Sequence, residues 1–172
     1  MTTKRMQLRV GDAAESTEKL AHGEASHGDA SKSSAVRILG VDPGLNITGY
    51  GVLEVAGRSL RVVEAGVIRG RSRSLENRLR EIHIGVAEVL DAFRPQGMAI
   101  EQLYSHYERP RTAILMGHAR GVICLAATLA ETPIHHYAAT QIKKVLTGNG
   151  RAPKPQMQQA VRRELGLANV PE

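Results

Sequence analysis

The chain has 172 residues, of which 42% are hydrophobic and 23% are charged, and its formal net charge is +6. These values are ordinary for one globular domain with a substantial core. The single cysteine, Cys124, excludes an intrachain disulfide and a cysteine-based zinc site. The first residues lack the order of a secretory signal, and no apolar run approaches the ~18 residues of a membrane span. We therefore expect a cytoplasmic protein that acts away from membranes.

Residues 1–35 differ in composition from the rest of the chain. They are rich in Ala, Ser, Gly, Lys and Glu and contain no aromatic residue, which predicts a disordered leader. Five basic and five acidic residues cancel within the first 36 positions, so the whole positive charge belongs to residues 37–172. We predict one folded domain over residues 36–172.

The predicted elements combine an initial group of strands with alternating helices and strands. The predicted strands are 36–42, 48–55, 60–68, 97–101 and 133–137. The predicted helices run from Ser74, as the N-cap, to the closing Pro95, and over 110–131, 140–146 and 153–165. The first three strands have short connections, as in an antiparallel meander. This order predicts a mixed α/β domain with helices on a central sheet of about five strands.

Small residues recur along one face of the helix predicted over 110–131. Gly117, Gly121, Cys124 and Thr128 lie close to this face. Glycine inside a helix costs about 1 kcal/mol relative to alanine. Close packing against a neighbouring element would compensate for that cost, so we expect this face to be tightly packed.

Two acidic residues, Asp42 and Glu101, each end a short apolar run. A carboxylate at the end of a buried strand is costly to desolvate unless a cation compensates it. If the two strands are parallel neighbours, both carboxylates lie at one edge of the sheet, where α/β proteins bind ligands. Such a pair suits Mg2+, which can activate water for phosphodiester cleavage. For Asp42 alone, a simple Asp-Pro-Gly turn is the alternative.

A site for two divalent ions generally needs more than two carboxylates. No further acid has the local context of Asp42 and Glu101: Glu131 and Glu164 lie in predicted helical segments, and Glu172 is the last residue. The sequence therefore predicts only part of a two-ion site.

The segment from position 143 to position 163 contains six basic residues and no acidic residue. The six are Lys143, Lys144, Arg151, Lys154, Arg162 and Arg163. Such a block suits a polyanion, because each neutralised phosphate releases condensed counterions. A solvated charged surface is the alternative.

An aromatic residue, Tyr104, follows Glu101 by three positions in a polar segment that also contains Tyr107, Arg109 and Arg111. An aromatic ring in a basic loop beside a nuclease site can stack on an unpaired base. The alternative is that the two tyrosines cap the edge of the sheet.

Several collinear segments carry a resemblance to a known family. The run Ile-Leu-Gly-Val-Asp-Pro-Gly at 38–44 is followed by Thr-Gly-Tyr-Gly-Val at 48–52. Further segments are Ile-Glu-Gln at 100–102, Ala-Arg-Gly at 119–121, Tyr-Ala-Ala at 137–139, Gln-Ile-Lys at 141–143 and Arg-Ala-Pro-Lys-Pro-Gln at 151–156. Together, over about residues 36–172, they resemble the RuvC family of Holliday junction resolvases.

The resemblance implies an RNase H-like fold, a homodimer, and Mg2+-dependent cutting of paired strands at a four-way DNA junction in recombination and repair. It identifies Asp42 and Glu101 with the first two catalytic, metal-binding carboxylates of the family, at a site with two Mg2+ ions. It also implies that branch-migration helicase proteins of the same pathway are partners.

The resemblance further implies which residues contact DNA. Tyr104 falls where the family has an aromatic residue near the exchange point of the junction. Lys143 and Lys154 match basic residues that are important for junction DNA. We add Lys144, Arg151 and Arg111 as candidate DNA-binding residues.

The sequence departs from the family at its end. The family's remaining catalytic acids lie in an Asp-rich motif that opens a last helix, and this sequence stops about where that helix begins. We therefore expect a C-terminally truncated resolvase, lacking the final helix, that binds junctions but cleaves them poorly. The alternatives are a junction-binding protein without cleavage activity, an RNase H-like nuclease acting on RNA and, least favoured, an actin-like sugar kinase or ATPase.

Overall fold

The computed structural model describes residues 35–103 and 110–170, so the predicted leader lies outside the described residues. The strands in these ranges are β1 Val36–Asp42, β2 Ile47–Ala56, β3 Ser59–Arg69, β4 Gly97–Glu101 and β5 Ile134–Tyr137. The helices are α1 Leu75–Phe93, α2 Pro110–Leu129, α3 Ala139–Thr147 and α4 Lys154–Glu164. All the predicted elements are present, and their ends differ from the predicted bounds by at most two residues.

The five strands form one mixed sheet in the order β3-β2-β1-β4-β5. The pairs β1–β2 and β2–β3 are antiparallel, which confirms the predicted meander. The pairs β1–β4 and β4–β5 are parallel, and parallel neighbours need a crossover connection. Helix α1 provides the crossover from the meander to β4, and α2 provides the one from β4 to β5. The predicted fold class is confirmed.

Helices α1 and α2 cover one face of the sheet and enclose the core with it. The strands contribute Leu39, Val41, Tyr50, Val52, Ile68, Met98 and Ile100 to this core. The helices contribute Ile82, Val86, Val89, Leu90, Ala119, Ile123, Ala126 and Ala127. Ser74 caps α1 as predicted, because its hydroxyl accepts the backbone N–H of Asn77 at 3.4 Å.

The outer face of α2 does not have the tight packing predicted for its small residues. Gly117 and Gly121 are exposed, and no heavy atom of another element lies within 4 Å of a Cβ placed at either position. The prediction is wrong for these two glycines, because the core contacts of α2 are made by alanine and isoleucine side chains on its inner face.

One described helix, α2, is long and apolar enough to cross a membrane by length and composition alone. This property was not predicted from the sequence, because Arg120 interrupts the apolar residues of the helix. Core helices of globular domains can pass the same test, and α2 packs against α1 and β5.

Candidate active site at the carboxyl edge of the sheet

Asp42 and Glu101 end neighbouring parallel strands. Val41 is in register with Ile100 on neighbouring strands that are about 4.8 Å apart. Asp42 and Glu101 are the next residues on these strands, so they lie at the same edge of the sheet. Side chains alternate between the faces of a strand. Because Val41 and Ile100 point into the core, Asp42 and Glu101 point away from α1 and α2. The structure thus brings together the two carboxylates that the sequence singles out.

Both carboxyl groups are in surroundings that disfavour their ionised form. Partial burial at the sheet edge raises the pKa of Asp42, although part of its surface stays open to solvent. Burial also raises the pKa of Glu101, and the negative charge of Asp42 raises it further. The positive charge of Lys143 acts on Glu101 in the opposite direction, as a smaller effect. The pair therefore has an excess of negative charge that a cation would neutralise.

The turn that carries Asp42 is held by Thr48, which is fully buried. The Thr48 hydroxyl donates to the carbonyl oxygen of Gly44 at 2.8 Å and lies 3.3 Å from the Gly44 backbone nitrogen. A Cβ at Gly44 would overlap the carbonyl oxygen of Ile47, so this position requires glycine. Gly49 lies opposite Asp42 and leaves space beside its side chain. These contacts fix the backbone from which the Asp42 carboxylate projects.

Arg120 of α2 fixes the end of the strand that carries Glu101. Its Nε donates to the backbone carbonyl oxygen of Glu101 at 3.2 Å, and its Nη2 lies 2.6 Å from Nδ1 of His136 on β5. The backbone N–H of Gln102 donates to the carbonyl oxygen of Tyr137 at 2.9 Å. Sequence reasoning finds Arg120 only as part of a family motif, because the separation of 19 positions between it and Glu101 conceals the contact.

The predicted DNA-binding residues are distributed over several elements. Lys143, on α3, is the one whose charge acts on Glu101. Lys144, Arg151 and Lys154 are exposed on the α3–α4 pair. Arg111 is exposed near the start of α2. Tyr104, in contrast, lies outside the described residues.

No third acid joins the pair within residues 35–103 and 110–170. No group of three or more His, Cys, Asp or Glu side chains in these ranges could hold a metal ion. Glu131 lies in the turn between α2 and β5, at the opposite end of the parallel strands, and Glu164 is the last residue of α4. The described acids supply two carboxylate ligands, which fits a hard divalent cation that also binds substrate phosphates.

Comparisons with known proteins agree on one family. The family described as crossover junction endodeoxyribonuclease RuvC matches residues 38–172. A protein of that name from Rhodopirellula baltica is 60% identical over 144 residues, which cover 83% of this chain and 81% of the relative. Its namesake from Aromatoleum aromaticum is 42% identical over 142 residues, or 83% of this chain and 76% of the relative.

The solved structures of relatives have the same architecture. Thermus thermophilus RuvC in complex with a Holliday junction substrate is similar with a TM-score of 0.73 and 32% identity, over 80% of this chain and 84% of that one. The yeast mitochondrial Holliday junction resolvase, at 12% identity and a TM-score of 0.55, is similar in fold alone over 80% of this chain and 65% of its own. The fold is therefore the RNase H-like fold of these nucleases. The chain belongs to the RuvC family of crossover junction endodeoxyribonucleases.

Proposed function

We propose that this chain is a structure-selective endonuclease that resolves four-way DNA junctions by metal-dependent phosphodiester hydrolysis, in recombination and repair. The pairing of Asp42 with Glu101 at one edge of parallel strands carries the proposal, since this is the arrangement that metal-assisted hydrolysis needs. The relatives named as junction endodeoxyribonucleases, and the relative bound to a Holliday junction, favour DNA over RNA as the substrate.

Asp42 and Glu101 would hold the metal in this reaction. Burial raises the pKa of both carboxyl groups, and the negative charge of Asp42 adds to the rise at Glu101. A bound divalent cation would favour the ionised form of each group. We propose Mg2+, with two ions per site, which when bound activate the attacking water and stabilise the departing oxygen. Two ions need ligands beyond this pair, from substrate phosphates or from acids outside the described residues. The expected C-terminal truncation stays a prediction.

Basic residues next to the carboxylates would hold the DNA. Lys143 is close enough to Glu101 to affect its pKa, so a phosphate bound by Lys143 would lie beside the carboxylate pair. Lys144, Arg151 and Lys154 extend this cationic surface along α3 and α4. Tyr104 is proposed as a ring that stacks on an unpaired base, a role that the family resemblance supports. Arg111 is proposed as a contact to the DNA backbone because it belongs to the same basic segment of the sequence.

The outer face of α2 supports a homodimer. Ile114, Leu125 and Leu129 are apolar but 62%, 51% and 68% exposed, and Gly117 and Gly121 leave open space between them. A second copy of this helix would bury these side chains and would provide the close packing that glycines permit. We expect Leu125→Glu to reduce the molecular mass in analytical ultracentrifugation from dimer to monomer. Leu60→Glu, on β3, is the control that should remain dimeric.

The central test is a cleavage assay with Mg2+ on a synthetic four-way DNA junction, a linear DNA duplex and a four-way RNA junction. We expect paired cuts in junction DNA, made slowly if the predicted truncation holds, and negligible cutting of the other two substrates. Tight binding without cutting would support the non-catalytic alternative, whereas equal cutting of the RNA junction would support an RNA nuclease.

Two predictions concern the rest of the protein and its surroundings. Deletion of residues 1–34 should leave junction affinity nearly unchanged in a binding titration, because the predicted leader is charge-balanced. A large loss would show that the leader contributes contacts to the junction. A cytoplasmic location and an association with branch-migration helicase proteins stay predictions from the sequence.

A further inference from the structure

The connection from β3 to α1 is rich in arginine and contains none of the DNA-binding residues assigned above. We call residues 69–73 the arginine loop; it contains Arg69, Arg71 and Arg73, and all three are exposed. No salt bridge joins any of them to an acid within the ranges that the structure describes. Three exposed guanidinium groups within five residues form a concentrated positive charge.

The position of the loop relates it to the carboxylate pair. Asp42 is in register with Gly49, and Gly49 with Val67, so β3 reaches the level of Asp42 two residues before Arg69. Arg69 is in register with Ile47, at the end of the sheet where the carboxylates lie. Because β3 is two strands from β1, the loop begins about 10 Å to the side of Asp42.

The loop is bound directly to the turn that follows Asp42. The backbone N–H of Gly70 donates to the carbonyl oxygen of Asn46 at 3.0 Å. Arg78 of α1 donates through Nη1 to Oδ1 of the same Asn46 at 3.0 Å. A Cβ at Gly70 would lie only 2.5 Å from the carbonyl oxygen of Leu45, so the two segments are packed backbone against backbone.

Polar side chains of α1 hold the loop backbone in one conformation. Glu81 accepts the backbone N–H of Arg71 at 2.7 Å and that of Ser72 at 3.3 Å, and it accepts the Ser72 hydroxyl at 2.6 Å. Arg78 donates to the carbonyl oxygens of Ser72 at 2.7 Å and Arg73 at 3.2 Å. Glu81 and Arg78 therefore bind the backbone of the loop, whereas the exposed side chains of Arg71 and Arg73 are available to a ligand.

We propose that the arginine loop binds a backbone phosphate of the junction DNA, a few nucleotides from the phosphate that is cleaved. The ligand is a phosphodiester, because guanidinium groups match phosphate oxygens in charge and geometry. One DNA strand carries a phosphate for each ~3.4 Å of helix axis, so an offset of about 10 Å corresponds to about three nucleotides. The inference deepens the proposed function and depends on it.

The loop and Lys143 would then hold the DNA from two sides. In the sheet order, β3 and β2 lie on one side of β1, and β4 and β5 lie on the other. The arginine loop follows β3, whereas Lys143 is on the helix that follows β5. The carboxylate pair lies between these cationic positions, so a strand that contacts both would pass across Asp42 and Glu101.

The test compares two double variants of equal charge in a junction-binding titration without divalent metal. Arg71→Gln with Arg73→Gln removes the proposed phosphate ligands. Arg58→Gln with Arg94→Gln removes two exposed arginines from the opposite end of β3 and the end of α1.

We expect the first pair of substitutions to weaken junction binding at least ~10-fold, because each substitution abolishes a charge-assisted bond to phosphate. The slope of log affinity against log salt concentration should become shallower by about 0.9 for each phosphate that is no longer bound. The second pair should change both quantities much less.

Glu81→Gln separates a preorganised site from a general effect of charge. This variant makes the protein more positive, so nonspecific electrostatics would tighten DNA binding. The proposal predicts weaker binding, because an amide cannot accept all three bonds that hold the loop. A thermal melt of each variant confirms that the fold is retained.

Two results would overturn the inference: equal binding by the two double variants, or tighter binding by Glu81→Gln. In either case the wild-type chain would still bind and cut junctions, so the proposed function would stand. Failure of the wild-type chain to prefer a junction over a linear duplex would overturn both proposals.

Discussion

Two clusters of three charged residues lie at opposite ends of the sheet and differ in their balance. At one end, Arg37, Glu54 and Arg61 are in register on three neighbouring strands, and both arginines bind Glu54, at 3.1 and 2.7 Å. At the other end, Asp42 lies beside Glu101, and the positive charge of Lys143 acts on Glu101. The first cluster has two cations for one anion, and the second has the reverse.

The pKa values follow this difference. Hydrogen bonds from Arg61 and Arg37 lower the pKa of Glu54, so its ionised form is satisfied by the protein itself. Burial raises the pKa of Asp42 and of Glu101, and neither carboxyl group forms a salt bridge with another of the described residues. We interpret the first cluster as a structural feature and propose that the carboxylate pair, which is short of positive charge, binds a cation.

The largest expected effect is the loss of catalysis when one carboxylate of the Asp42–Glu101 pair is removed. We expect Asp42→Asn to reduce the rate of junction cleavage by at least ~1,000-fold, because a metal ion supplies several kcal/mol and each ~1.36 kcal/mol is tenfold. Junction affinity without metal should be retained, since the change removes a negative charge. Single-turnover cleavage and a binding titration measure the two quantities, and Glu54→Gln is the matched control. A rate close to wild type would remove Asp42 from the mechanism.

A smaller effect is expected at Arg120, which binds Glu101 through the backbone carbonyl oxygen. Lysine cannot reach both the Glu101 carbonyl oxygen and His136, so Arg120→Lys should displace the end of β4. We expect the cleavage rate to fall ~10- to 100-fold, because small displacements in an active site can cost this much. Junction affinity should not change, since the charge is kept.

The control for this prediction is Arg111→Lys, on the same helix but exposed near its start. As a proposed DNA contact, Arg111 should influence the affinity for the junction rather than the rate at which the bound junction is cleaved. Equal rates for Arg120→Lys and wild type would show that Arg120 does not position Glu101.

The dependence of stability on pH should have opposite signs at the two ends. A raised carboxyl pKa means that the folded chain binds the proton more tightly than the unfolded chain. The contribution of Asp42 and Glu101 to stability is therefore present at low pH and is lost as pH rises from the ordinary carboxyl pKa through the raised values. For Glu54 the contribution is present above its ordinary pKa and is lost as pH falls through the lowered value.

Melting temperatures in EDTA from about pH 4 to about pH 8 measure this contrast. Relative to wild type, Asp42→Asn should become more stable as pH rises, because it lacks the ionisation that is costly. Glu54→Gln should become less stable over the same range. Parallel curves for the two variants would contradict the contrast between the clusters.

The smallest effect on function is expected from a substitution in the cluster of Arg37, Glu54 and Arg61. Glu54→Gln should lower the melting temperature at neutral pH slightly, because exposed ion pairs contribute little and are screened by salt. Cleavage and junction binding should stay at the wild-type level, since Glu54 lies at the far end of β2 from the site. A marked loss of cleavage would mean that the cluster influences the active site.

The sequence alone determined the elements and the two catalytic candidates. Strand and helix periods are local, and residues such as Ser74 and Pro95 mark helix ends through their own backbone chemistry. The same locality explains an error: the spacing of Gly117 and Gly121 indicates their common face but not what covers it.

Only the tertiary structure decided which strands are neighbours, and hence what each charge contacts. Asp42 and Glu101 are 59 positions apart, and their proximity depends on the parallel pairing of β1 with β4. The same holds for Arg120 beneath Glu101 and for the bond between Arg78 and Asn46 that holds the arginine loop. These contacts join residues far apart in the chain, and they form only once burial of the common core has fixed the strand order.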